Sequence, residues 1–102
     1  MPLAATIGAG YNPQMPSVSQ TIRVRVLFFG RLKEIAGCAE ECLDFPATAD
    51  IASLFAQYVS RFPLLQQYRS SIVVSRNQEL VPWHSPLSSG DEVAFLPPVS
   101  GG

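Results

Sequence analysis

Six apolar side chains, Ile51, Leu54, Phe55, Tyr58, Val59 and Phe62, fall at i, i+3, i+4, i+7, i+8 and i+11. That spacing is one stripe of an amphipathic helix. Thr48 or Asp50 can cap its N-terminus, and Pro63 ends it. A single apolar stripe needs a partner surface, and the rest of the chain offers only short strand-like runs to supply one. The fold is therefore expected to be one sheet covered by one long helix. Each stripe side chain, if fully buried, contributes roughly 1.5–3 kcal/mol.

The strand-like runs are readable from their alternation and their stops. Ile22-Arg23-Val24-Arg25-Val26-Leu27-Phe28-Phe29 alternates at first and then becomes continuously apolar. This predicts a strand with one face buried, and with its far end buried on both faces. Gly30 breaks it, and Arg31–Ala36 is long enough for a turn or two of helix ended by Gly37. Glu40–Phe45 reads as a second strand stopped by Pro46, antiparallel to the first. After the long helix come Ser71–Ser75, a polar turn over Arg76–Glu79, a short strand at Leu80-Val81, and Glu92–Leu96. Pro82 and Pro86 bracket a loop, Ser89-Gly90-Asp91 is turn chemistry, and Pro97-Pro98 forbids continuation of the last strand. The order strand, strand, helix, strand, short strand, strand is an α+β layout. It is compatible with a β-grasp (ubiquitin-like) mixed sheet packed on one main helix. In that topology the first and last strands lie parallel at the centre, as their apolar character suggests.

Composition narrows the function classes. With 102 residues, 47% apolar and 15% charged, the chain suits one small core. A net charge of −1 offers no nucleic-acid surface, and no apolar run approaches the roughly 18 residues needed to span a membrane. Cys38 and Cys42 do not make a disulfide framework, and the only histidine, His84, is remote from them in sequence. No metal site is expected, and two reduced thiols fit a cytoplasmic location. Residues 1–21 contain no charge, three prolines and two glycines, which reads as a disordered or loosely packed N-terminal extension. Met15 could itself be the start. The folded domain is expected over residues 22–102.

The chain finishes Pro97-Pro98-Val99-Ser100-Gly101-Gly102. A Gly-Gly end carries its carboxylate on a thread without side chains, suited to insertion into a narrow channel of another protein. The whole segment Leu87–Gly102 closely resembles the C-terminal signature of the molybdopterin synthase small subunits, the MoaD-type ubiquitin-like sulfur carriers: a Gly-Asp turn, an apolar strand, Pro-Pro, a small residue and Gly-Gly. Phe28–Gly37 resembles the same family's first strand and short helix, and Arg61-Phe62-Pro63 is a weaker match. The resemblance covers residues 22–102.

What the resemblance implies is a sulfur relay. An ATP-dependent, E1-like activating enzyme adenylates the carboxylate of Gly102, and a sulfur donor protein converts the acyl-adenylate to a thiocarboxylate. Inside the large subunit, with which the small one forms a heterotetramer, that sulfur passes to a cyclic pyranopterin monophosphate to build the molybdopterin dithiolene. Pro97, Pro98, Val99, Ser100 and Gly101 form the inserted tail; the prolines keep its base extended, so less order is lost on binding. A thiocarboxylate is a soft nucleophile, reactive as its anion in the way thiolates are. No cofactor is expected on the chain itself, since the activating enzyme consumes the ATP. Asp91 and Glu92 lie at the far end of the last strand, so acids and substrate-binding cations are expected from partners.

Other residues carry competing readings. Phe29, Phe95 and Leu96 form a candidate docking face, against the alternative that at least two of Phe28, Phe29 and Phe95 are core. Trp83 is expected to pack on the sheet edge, and Arg23, Arg25, Arg31, Lys33 and Glu34 to lie on solvated faces. The alternative functions are a sulfur carrier for cysteine or thiamine synthesis, a ubiquitin-like protein modifier, and a binding module with inert glycines.

Overall fold

The structure is a computed structural model that describes residues 20–97. The elements run β1 (Thr21–Phe28), α1 (Gly30–Ala36), β2 (Glu40–Pro46), α2 (Ile51–Arg61), a 3-10 helical run (Pro63–Ser71), β3 (Val73–Arg76), β4 (Glu79–Leu80) and β5 (Glu92–Leu96). The five strands form one sheet in the order β2-β1-β5-β3-β4. β1 and β5 are parallel neighbours at its centre, with Phe28 level with Phe95, and the remaining pairings are antiparallel. This is the β-grasp arrangement expected. Of the extension expected over residues 1–21, Thr21 already belongs to β1 and the Gln20 carbonyl accepts from the Ala47 N–H, so the folded part begins earlier than residue 22; residues 1–19 and the tail over residues 98–102 lie outside the described residues.

Strand alternation decides which side chains meet the helix. Val24, Val26 and Phe28 of β1, Val93 and Phe95 of β5, and Val74 of β3 point to the covered face and are buried. From α2, Ile51, Leu54, Phe55 and Tyr58 join them, while Val59 and Phe62 pack half-buried at the margin. Phe28, Phe55 and Phe95 make a continuous aromatic cluster. The Phe28–Phe95 rings stack at 5.7 Å, and Phe55 meets Phe95 at 5.2 Å. Trp83 extends the cluster, stacking on Phe95 at 6.0 Å, and Arg69 lies 3.7 Å above the Trp83 ring centre. Such arrangements add about 0.5–1.5 kcal/mol per pair beyond area burial.

Local signals explain the element ends. Asp50 caps α2 by accepting from the Ser53 N–H at 2.8 Å, so of the two candidates it is Asp50 and not Thr48 that serves. The carbonyls of Ser85 and Trp83 accept from the Ile51 and Ala52 N–H groups, so the Pro82–Pro86 loop satisfies the first turn. Gly37 closes α1 in the left-handed conformation at φ 78°. Pro63 ends α2 but also opens the 3-10 run, which sequence periodicity missed. Ser71 belongs to that run, so β3 begins at Val73 rather than Ser71. Gly30 ends the first strand and also starts α1. The turn between β3 and β4 uses Asn77 and Gln78, both at positive φ.

Two polar constellations fasten the core's edges. Asp91, itself buried, accepts from Asn77 Nδ2 at 3.0 Å and from the Ser88 N–H at 2.7 Å, while Asn77 Oδ1 accepts from the Glu92 N–H at 2.9 Å. This clasp ties the start of β5 to the β3–β4 turn. At the other margin the Tyr58 hydroxyl donates to Glu41 at 2.6 Å, and Arg61 donates to the same oxygen at 3.0 Å. No helix among the described residues is long and apolar enough to cross a membrane.

The Tyr58–Glu41 bond gives stability a readable pH dependence. The Tyr58 hydroxyl, then Arg61, hold the Glu41 carboxyl below its usual range. Burial, then the bond to Glu41, push Tyr58 well above the usual tyrosine range. A lowered acid stabilises above its unfolded value of about 4.5 and loses that contribution as pH falls through its folded value. A raised tyrosine stabilises below about 10 and loses it as pH rises beyond. Tyr58→Phe should therefore lower unfolding free energy by about 1.5 kcal/mol near neutrality. Urea titrations should show that gap narrowing below pH 5 and above pH 10; a pH-independent gap contradicts the assignment.

Candidate functional site

The sheet face turned away from α2 is divided along its length. At one end sits a charged ladder. Arg23 Nε is 3.0 Å from Asp44, Arg25 Nη1 is 3.1 Å from Glu40, and Arg25 also donates to Glu92. Glu92 first, then Glu40, favour the charged guanidinium of Arg25. The Arg23–Asp44 and Arg25–Glu40 pairs are well exposed and add little to stability. They keep this end of the face solvated, as expected for Arg23 and Arg25.

Toward the other end the face becomes apolar. The register places Leu27, Ala94, Ser75 and Leu80 in one row across β1, β5, β3 and β4. Directly opposed residues share a face. One step further along, Leu96 lies opposite Val73, and Phe29 follows the end of β1. Leu80 is 71% exposed, Val73 45% and Phe29 44%, while Leu27 and Leu96 are half-buried. Exposed apolar side chains gathered at one end of a sheet face make it a candidate interaction surface.

The three residues expected as a docking face are thus separated by the fold. Phe29 is exposed and Leu96 is on the apolar face, but Phe95 is fully buried. The reason is alternation: Phe95 shares its side of β5 with Val93 and points into the aromatic cluster, so it holds the strand instead of meeting a partner. Phe28 is core as well, in line with the reading that two of the three phenylalanines are interior. Leu27, Val73 and Leu80 take up the surface role that Phe95 lacks. Leu27 was legible by its parity with Arg25; Val73 and Leu80 needed the strand register.

The C-terminal end of β5 opens at this apolar end. Pro97 follows Leu96 half-buried and lies against Gly30 at the start of α1. Pro98, Val99, Ser100, Gly101 and Gly102 fall outside the described residues. Beside the exit a cleft of about 330 Å³ is lined by Leu27, Phe28, Phe29, Gly30, Lys33, Ala39 and Glu40. Asp91 and Glu92 sit at the opposite end of β5. His84 is exposed and lies 3.5 Å from Asp50, whose carboxyl is held low by the Ser53 backbone and side chain and, to a lesser degree, by His84. Cys38 and Cys42 are free thiols, and among the described residues no three His, Cys, Asp or Glu side chains are grouped to hold a metal ion. The arrangement is a central strand that ends beside an apolar face.

Comparison with known proteins gives this arrangement its context. The ThiS family matches residues 26–102. The chain is 37% identical over 81 residues to the molybdopterin synthase sulfur carrier subunit of Escherichia coli (strain K12), covering 78% of this chain and 99% of that one. Among solved structures it is similar to SAMP1 from Haloferax volcanii, with a TM-score of 0.68 and 29% identity, covering 78% of this chain and 99% of the other. It is also similar to a chain in the complex of subunits 1 and 2 of molybdopterin-converting factor from Helicobacter pylori 26695. There the TM-score is 0.55 and the identity 30%, over 79% of this chain and all of that one. The chain belongs to the ThiS family, with a sulfur carrier subunit of molybdopterin synthase among its relatives.

Proposed function

We propose that this chain is the sulfur carrier subunit of a molybdopterin synthase. The observation that carries the reading is the match to carrier subunits over nearly their whole length, on a chain whose family match runs through residue 102. The Gly102 carboxylate is the reacting group. Its oxygen attacks the α-phosphorus of ATP in an activating enzyme, pyrophosphate leaves, and the acyl-adenylate becomes a competent acyl donor. Sulfur at the sulfide level from a donor protein displaces AMP to give the thiocarboxylate. In the large subunit that sulfur forms a carbon–sulfur bond to the pyranopterin substrate as one of its carbon–oxygen bonds breaks and the oxygen leaves; water then cleaves the acyl–sulfur bond, which leaves the sulfur on the product and restores the Gly102 carboxylate. Two such transfers complete the dithiolene.

This chain's own contribution is delivery. Phe95 and the Asp91 clasp fix β5 at both ends, and the apolar face of Leu27, Val73, Leu80 and Leu96 provides docking beside the exit. Pro97 and Pro98 stiffen the tail's base, and Val99, Ser100 and Gly101 thread it into the partner's site. Acids and phosphate-binding cations come from the large subunit, in a complex of the kind named for the Helicobacter pylori subunits. A second reading, a protein modifier, is favoured by the likeness to SAMP1. Lysine-linked adducts of this chain would support it.

Two expectations follow from this division of labour. Deleting Gly102, or adding residues after it, should abolish molybdopterin formation in a reconstituted synthase while leaving the thermal melt unchanged; an unfolded deletion variant overturns the assignment of the tail to chemistry alone. Leu80→Asp should weaken binding to the large subunit by about tenfold or more, as forcing a carboxylate into an apolar contact does. Leu64→Asp, also well exposed at 61% but on the 3-10 run, should leave binding unchanged in titration calorimetry. Equal effects of the two substitutions would contradict the docking face.

A further inference from the structure

Three glycines of the described chain have positive φ: Gly30 at 57°, Gly37 at 78° and Gly90 at 91°. They share one backbone requirement, since side chains are disfavoured there. They differ in surroundings. A Cβ at Gly37 or Gly90 would meet nothing within 4 Å, whereas a Cβ at Gly30 would meet Cγ of Pro97 at 3.0 Å. Nine in ten real Cβ contacts are wider than that, so the proline ring would have to yield by a few tenths of an ångström. Gly37 needs glycine for its turn alone. Gly30 needs it for the turn and for its neighbour.

The neighbour is the last described residue before the tail. β5 is held firmly up to Phe95 by the aromatic cluster, and Leu96 still pairs with Val73. Beyond that pair the sheet gives no further register, and the next close constraint is the Pro97 ring against Gly30. The proline's fixed φ converts the position of its ring into a direction for the following peptide. We propose that Gly30 is a positioning residue for sulfur transfer: the space left by its missing side chain seats the Pro97 ring and so sets the bearing on which the chain leaves β5. The seat lies five residues before Gly102, and a misplacement of about 1 Å at reacting atoms can cost about a hundredfold in rate. The role rests on the sulfur-carrier reading.

The test separates the seat from ordinary backbone strain. Gly30→Ala and Gly37→Ala both place a side chain at positive φ, but only the first meets Pro97. Chains bearing a preformed thiocarboxylate are mixed with saturating large subunit and pyranopterin substrate, at a temperature where thermal melts show every variant folded. Gly30→Ala should slow single-turnover sulfur transfer by about tenfold, with affinity for the large subunit unchanged within about twofold. Gly37→Ala should leave both unchanged. In a Pro97→Ala background, which removes the Cγ that would clash, adding Gly30→Ala should cost no more than adding Gly37→Ala. The proposal is overturned if Gly30→Ala and Gly37→Ala transfer sulfur at the same rate, or if the Gly30→Ala defect persists undiminished beside Pro97→Ala. Inactivity of the unsubstituted thiocarboxylated chain with an authentic large subunit would instead strike the carrier reading itself.

Discussion

The parallel pairing of β1 with β5, sealed by Phe28 stacked on Phe95, is the contact on which the rest of the molecule depends. Parallel neighbours cannot be joined by a tight turn, so everything between Phe28 and Glu92 is connection that must return across the sheet. α2 crosses the covered face and seats Phe55 against Phe95. β3 then returns on the far side of β5. The Asp91 clasp fixes the start of β5, with both carboxylate oxygens satisfied in a buried setting where an unpartnered acceptor would cost about 1–3 kcal/mol. A strand fixed by polar contacts at one end and aromatic contacts at the other delivers whatever follows it from a defined point.

The same alternation that fills the core creates the outer face. Residues one position removed from the core set are Arg23, Arg25 and Leu27 on β1, and Glu92, Ala94 and Leu96 on β5. Arg23, Arg25, Asp44 and Glu92 occupy the half remote from the exit, and Glu40, opposite Leu27, reaches back from the border of the apolar half to pair with Arg25. Apolar side chains occupy the half beside the exit. A partner that docks on the apolar half lies beside the point where the chain leaves β5, and the charged half resists non-specific association along the rest of the face. Docking and delivery are thus two consequences of one strand register.

How far the sequence foretold this differs from element to element. The helix stripe and the central strands were legible because strong periodicity coincides with strong burial, as at Ile51, Leu54, Phe55 and Tyr58. Gly37 and Asp50 acted as their chemistry predicts. The 3-10 run was hidden because Leu64, Leu65 and Tyr68 follow no period that separates it from a loop, and Pro63 reads equally as a stop or a first helical residue. Phe95 was misassigned to the surface although its parity with Val93 already placed it inside. Val73 becomes a neighbour of the exit, and Leu80 joins the apolar row, only through pairings between distant strands, which no local pattern encodes. Gly30 read as a strand breaker; its contact with Pro97 joins positions far apart in sequence and is a property of the fold.

The central claim is that the chain is a carrier whose terminal carboxylate accepts sulfur. The direct measurement is intact-mass spectrometry after incubation with ATP, a cognate activating enzyme and a sulfur source, followed by fragmentation. The account predicts an ATP-dependent oxygen-to-sulfur mass gain confined to Gly102. An unchanged mass, in a mixture that thiocarboxylates a related carrier subunit, would contradict it.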